Sequence, residues 1–292
     1  MANAVHLDGL RCDGKAFGGC QALCLLFWKE AWLKPVSETP KASAQFSPIS
    51  NCTEADVVES TKTQAADGEP RYVCQATQLP NATSALKRWD ISQYWEDYAS
   101  GNVGLKRLAC GFLYASFYAL IQSGLGLGSP LRRLYDWVQA VIGGIPFPKK
   151  RGTIPKEVAT PAGTLNLQPG EFVRVKTYEQ ILATLNTDNK NKGLYFDAEM
   201  VPFCGGTYRV LQKVQRIIDE KTGKLIKMKS ESIILEGAFC QARYSRCRLF
   251  CPRSIYPYWR EIWLERVSPP AELGLAETRS SVDSSAKVMS LH

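Results

Sequence analysis

Apolar and polar residues alternate most regularly in the second half of the chain. In 170–176 (GEFVRVK) a two-residue period puts Phe172 and Arg174 on one face and Val173 and Val175 on the other, as in a half-buried strand. Strand patterns recur at 207–211, 214–218, 225–228 and 233–235, and the polar stretch 219–224 (DEKTGK) reads as the turn of a hairpin. Thr177, with Glu179 and Gln180 behind it, predicts a short capped helix over 177–185. Short strands of this kind predict a small SH3-like β-barrel over 165–267, closed by its cysteine-bearing last segment.

A helical period governs 88–146. Asp90 is placed to cap a first amphipathic turn, and 131–142 predicts a later helix after a glycine-rich break. Between them 108–121 (LACGFLYASFYALI) runs fourteen residues without a charge. A spanning helix needs roughly 20 apolar residues. The stretch is therefore read as a core helix with Cys110 inside it, and peripheral membrane contact through 108–121 and a true span are the alternatives. Residues 37–87 are rich in Ser, Thr, Ala and Pro and read as a polar linker, apart from Cys52, Cys74 and a short strand pattern at 71–74. The tail 268–292 is polar and expected to be disordered.

Across these patterns lies an internal repeat. Cys12, Cys20 and Cys24 match Cys240, Cys247 and Cys251, with gaps of seven and three residues in one copy and six and three in the other. Downstream, 28–33 (WKEAWL) lies over 259–264 (WREIWL), and upstream 5–9 (VHLDG) lies over 233–237 (IILEG). The second copy has strands before it and the first, residues 1–36, has almost none, so the first reads as an incomplete module. The fold class expected is α+β: a C-terminal barrel with a cysteine metal module, an incomplete N-terminal copy and a central helical segment.

Ten cysteines in 292 residues raise the question of disulfides. The N-terminal stretch lacks the pattern of a signal peptide, which leads to an expected cytoplasmic location where repeated close cysteines act as metal ligands. For the second copy the expected set is Cys204, Cys240, Cys247 and Cys251. For the first it is Cys12, Cys20 and Cys24, with Cys52 or Cys74 as a candidate fourth. Four thiolates suit zinc and equally suit an iron–sulfur cluster, and zinc is favoured because a small barrel gains most from a structural metal.

Charge narrows the partners. The net charge is +8, and residues 204–267 hold 13 Lys plus Arg against 6 Asp plus Glu, so an acidic partner would meet the second copy. The basic run 149–151 offers too few phosphate contacts for nucleic acid to be the expected partner. Nucleophilic chemistry has little to work with, since the only histidines are His6 and His292. The glycines of 124–128 lack the lysine of a phosphate loop. Glu30 and Glu261 match between copies and are expected to pair with Lys29 or Arg260 rather than catalyse. Tyr256, Tyr258, Trp259 and Trp263 are expected to pack over the cysteines, the two tryptophans on one helical face.

The signatures RCDGKAFGGCQALCLLFWKEAWL and YSRCRLFCPRSIYPYWREIWLERV resemble the paired signatures of an uncharacterised bacterial family found in cyanobacteria and some proteobacteria. The resemblance covers most of 3–267 and implies two cysteine modules but no activity. Family members carry more sequence before the first signature and a histidine where this chain has Phe17. The reading that results is a non-enzymatic metal-binding protein with a scaffolding or protein-binding role. Its alternatives are an iron–sulfur redox protein or accessory enzyme and, third, a basic nucleic-acid binder.

Overall fold

The computed structural model describes residues 4–35, 53–86, 90–124, 126–245 and 248–269. The first copy forms an antiparallel pair, β1 (Ala4–Arg11) and β2 (Leu25–Lys29), followed by a 3-10 turn at Glu30–Trp32. Part of the stretch expected to be linker is ordered. It carries α1 (Glu54–Ser60), the hairpin of β3 (Lys62–Gln64) and β4 (Pro70–Tyr72), and α2 (Gln75–Ala82). Its polar composition misleads because its order comes from ties to other segments. Thr61 Oγ1 donates to Ala16 O at 2.8 Å and Tyr72 N–H to Gly223 O at 2.8 Å. The rest of that linker expectation and nearly all of the expected disordered tail lie outside the described residues.

The central helices are α3 (Ser92–Ala99), α4 (Leu105–Gln122) and α5 (Gly128–Ile142). Among the described residues no helix is long and apolar enough to cross a membrane. Asp90 sits one residue before the cap position, where its carboxylate accepts the Ser92 N–H. Leu108, Gly111, Tyr114 and Ile121 form the buried stripe of α4. Cys110 is exposed, against expectation. It lies two residues, or roughly 200°, around the helix from Leu108, and so on the outer face. The inner stripe packs on Phe147 and on Leu249 and Phe250 of the second cysteine segment.

The C-terminal half holds β5 (Phe172–Val175), α6 (Tyr178–Leu182), the short pair β6 (Lys190–Asn191) and β7 (Leu194–Tyr195), and then β8 (Thr207–Ile218), β9 (Leu225–Leu235) and β10 (Leu264–Val267). Pairing is antiparallel in the order β10-β5-β8-β9. The patterns read at 207–211 and 214–218 are one long strand, as are those at 225–228 and 233–235. Register shifts at Val210/Gln212 and Val214/Arg216 bend this hairpin, and the sheet curls into a half-barrel. The capping box predicted for α6 is present, with Thr177 Oγ1 accepting the Gln180 N–H. Ile181, Leu185, Met200, Ile233, Trp259 and Trp263 fill the core. The two tryptophans share no helix: Trp259 lies in extended chain and Trp263 ends a 3-10 turn (Glu261–Trp263).

Candidate metal centres

The sequence repeat is also a repeat in space. Val5 pairs with Trp28 between β1 and β2, and the aligned residues Ile233 and Trp259 pair at a bridge beside β9. The two 3-10 turns occupy matched positions with matched flanks. Lys29 and Arg260 have φ/ψ of −79/136° and −78/141°, and Leu33 and Leu264 have −115/148° and −121/157°. Around the cysteines the backbone repeats its unusual conformations. Gly14 and Ala242, two residues past the first cysteine of each copy, have φ of 72° and 48°. Leu23 and Phe250, just before the third, have φ of 50° and 58°. A left-handed conformation is costly for a residue with a side chain, so its recurrence marks a specified path. In each copy the N–H of the matched residue reaches the first cysteine, Gly14 to the Cys12 sulfur and Ala242 to the Cys240 sulfur, contacts that favour thiolate.

In the first copy Cys12, Cys20 and Cys24 line one cavity of about 70 Å³, and Cys74 lines it with them. The walls are otherwise largely apolar, with no carboxylate or histidine, and Arg253 is the one charged side chain among them. Burial pushes the Cys12 thiol up, opposed by the Gly14 N–H. Cys24 is pushed up to about 11 by burial, then by Cys20 and Glu220, while Arg253 acts the other way. His6 does not line this cavity: its Nδ1 lies 2.8 Å from Leu26 O and its ring packs on Phe27.

The second set is arranged differently. Cys240 and Cys251 line a cavity of about 790 Å³ that also takes in Asp197, Glu199, Lys149 and Arg253. Burial pushes Cys240 up to about 11, opposed by the Ala242 N–H. The Glu199 carboxylate accepts the backbone N–H groups of Arg243 and Tyr244 and so holds the loop after Cys240. Cys247 lies outside the described residues. Cys204 is not brought to this cavity. It packs against the core of the half-barrel, with its thiol 3.9 Å from Met200 O, and burial pushes it up to about 12.

Among the described residues no three His, Cys, Asp or Glu side chains are grouped so as to hold a metal ion.

Glu261 differs from expectation. Glu261 binds no cation, and its buried carboxylate accepts the N–H groups of Leu165, Asn166 and Leu167 at 2.6, 3.0 and 2.9 Å. Arg260 instead donates to the carbonyls of Ser230, Glu231 and Lys192. Sequence reasoning missed Arg253, which lines both cavities and pairs with Glu220 at 2.6 Å. Its position two residues past the third cysteine was the only signal, and the first copy has no counterpart there. No protein-family model matches the chain, and no curated protein is significantly similar to it.

Proposed function

We propose that this is a non-enzymatic metal-binding protein of two cysteine modules, in which zinc holds segments together so that the folded surface can serve protein partners. The observation that carries the reading is the meeting of the three first-copy cysteines on one small cavity free of harder ligands. A soft, all-sulfur set suits zinc, and metal bound there contributes folding free energy directly. The matched backbone around Cys240 and Cys251 supports the same role for the second copy, with Cys247 as its third sulfur.

The same sulfur-lined cavity favours one other reading, because a set of thiolates holds an iron–sulfur cluster as readily as zinc. Anaerobic purification followed by zinc, iron and sulfide analysis separates the readings. About one zinc or more per chain without sulfide supports the first, iron with equal sulfide supports the second, and a metal-free folded protein overturns both.

The half-barrel fits within this proposal as a small SH3-like unit. The exposed apolar residues of α4 and α5, such as Leu113, Trp137 and Val141, offer a surface for protein partners or for peripheral contact with a membrane. A cytoplasmic location belongs to the same reading, since thiolate sites require reduced cysteines.

A further inference from the structure

We infer that Cys74 is the fourth ligand of the first centre, making a four-thiolate zinc site of Cys12, Cys20, Cys24 and Cys74. The inference rests on the metal-binding reading above and adds to it a ligand from outside the repeat. Cys74 belongs to neither repeat unit, yet three features fix it against the first copy. Gln75, its neighbour, clamps β2 from both sides: its Nε2 donates to Phe27 O and its Oε1 accepts the Phe27 N–H, each at 2.8 Å. Thr77 Oγ1 accepts the Cys74 N–H at 2.9 Å and donates to Cys74 O at 2.9 Å, which sets the start of α2. The preceding residue, Val73, donates to Thr61 O, and Thr61 is itself bonded to Ala16 between the first two cysteines.

The cavity these contacts create contains only sulfur among the side chains that bind divalent metals. Zinc binding would release the thiol protons to solvent and leave a zinc tetrathiolate with two negative charges. Arg253, the charged residue lining the same cavity, is already paired with Glu220. In that arrangement the metal joins β1 and β2 to the segment that carries α1 and α2.

The test uses the full chain, purified under reducing conditions and loaded with zinc or cobalt(II). Cys74→Ser should lose zinc affinity at the first site by more than the ~10-fold that loss of even an outer-shell partner costs. Its cobalt spectrum should move from four-sulfur towards three-sulfur character, while Cys110→Ser, altered on the exposed face of α4, should match the parent. Should Cys74→Ser fail to fold, thiol alkylation of the zinc-loaded parent with peptide mapping decides. Cys74 should be protected together with Cys12, Cys20 and Cys24, and become reactive when a chelator is added. Alkylation of Cys74 with the other three protected overturns the assignment and leaves the metal-binding reading standing. A parent chain that binds neither zinc nor cobalt overturns the reading itself.

Discussion

Replacing Glu261 with alanine should be among the most damaging single changes in the half-barrel. The carboxylate is 3% exposed and takes three consecutive backbone amides. Each amide left without a partner costs about 1–3 kcal/mol if it stays buried. Leu167 is fully buried, so its N–H cannot turn to water, whereas Leu165 is half-buried and Asn166 exposed, and both can recover some hydration. The loss should therefore be about 3–5 kcal/mol, well below three times the single-amide maximum, and a large fraction of a typical domain's ~5–15 kcal/mol. Glu261→Gln keeps the shape but turns an NH2 group towards N–H donors, and should cost roughly half as much. Glu30→Ala, at the matched exposed position of the first copy, should cost no more than about 0.5 kcal/mol. Urea unfolding followed by circular dichroism and by tryptophan emission measures all three, with Trp259 and Trp263 fully buried beside the site. If Glu261→Ala came within about 1 kcal/mol of Glu30→Ala, the amide latch would not be the main tie between 165–167 and the sheet.

Other consequences are open to direct measurement. A Cβ at Gly111 would lie 2.3 Å from the ring of Phe250, which is itself buried, so Gly111→Ala should destabilise by about 1–3 kcal/mol and loosen α4 from the second cysteine segment; hydrogen exchange unchanged in both places would refute this. Arg248 pairs with Asp97 at 2.8 Å, and burial already pushes that carboxyl up. Arg248→Ala should push it up further, so the loss of stability should be greatest at neutral pH and shrink as falling pH protonates Asp97. A loss that grew on acidification would contradict that assignment. If the outer face of α4 and α5 contacts membranes at all, carbonate or high salt should release the protein, and a requirement for detergent would argue against a peripheral attachment.

The local elements could be read from the sequence because short-range physics sets them. The alternation in 172–175, the capping box at Thr177 and the charge-free run in 108–121 each correspond to an element of the right type. The repeat was legible too, and its aligned residues hold matched places, Val5 opposite Trp28 and Ile233 opposite Trp259. What stayed hidden depends on long-range contacts. Nothing in the spacing of Cys204 says that it faces the core rather than Cys240, and nothing in a Ser- and Thr-rich stretch says that its ends are bonded to Ala16 and Gly223. Cys52 and Cys74 looked equivalent as candidates, and it is long-range ties such as the Gln75 clamp on β2 that place Cys74 at the first cavity. Glu261 looked like half of a surface ion pair because the amides it binds lie 94 to 96 residues away.

The first copy rests on the β8–β9 hairpin through Gln21, whose backbone and side chain bond to Gln212, Gln215 and Arg216, 191 to 195 residues further along the chain. A ribosome adding ~5–20 residues per second makes that docking surface roughly 10 to 40 s after Gln21 itself. For that interval the first copy has no place to settle. Cys12, Cys20 and Cys24 pass through it without that docking surface, so these thiols are more open to oxidation in the nascent chain than in the folded protein.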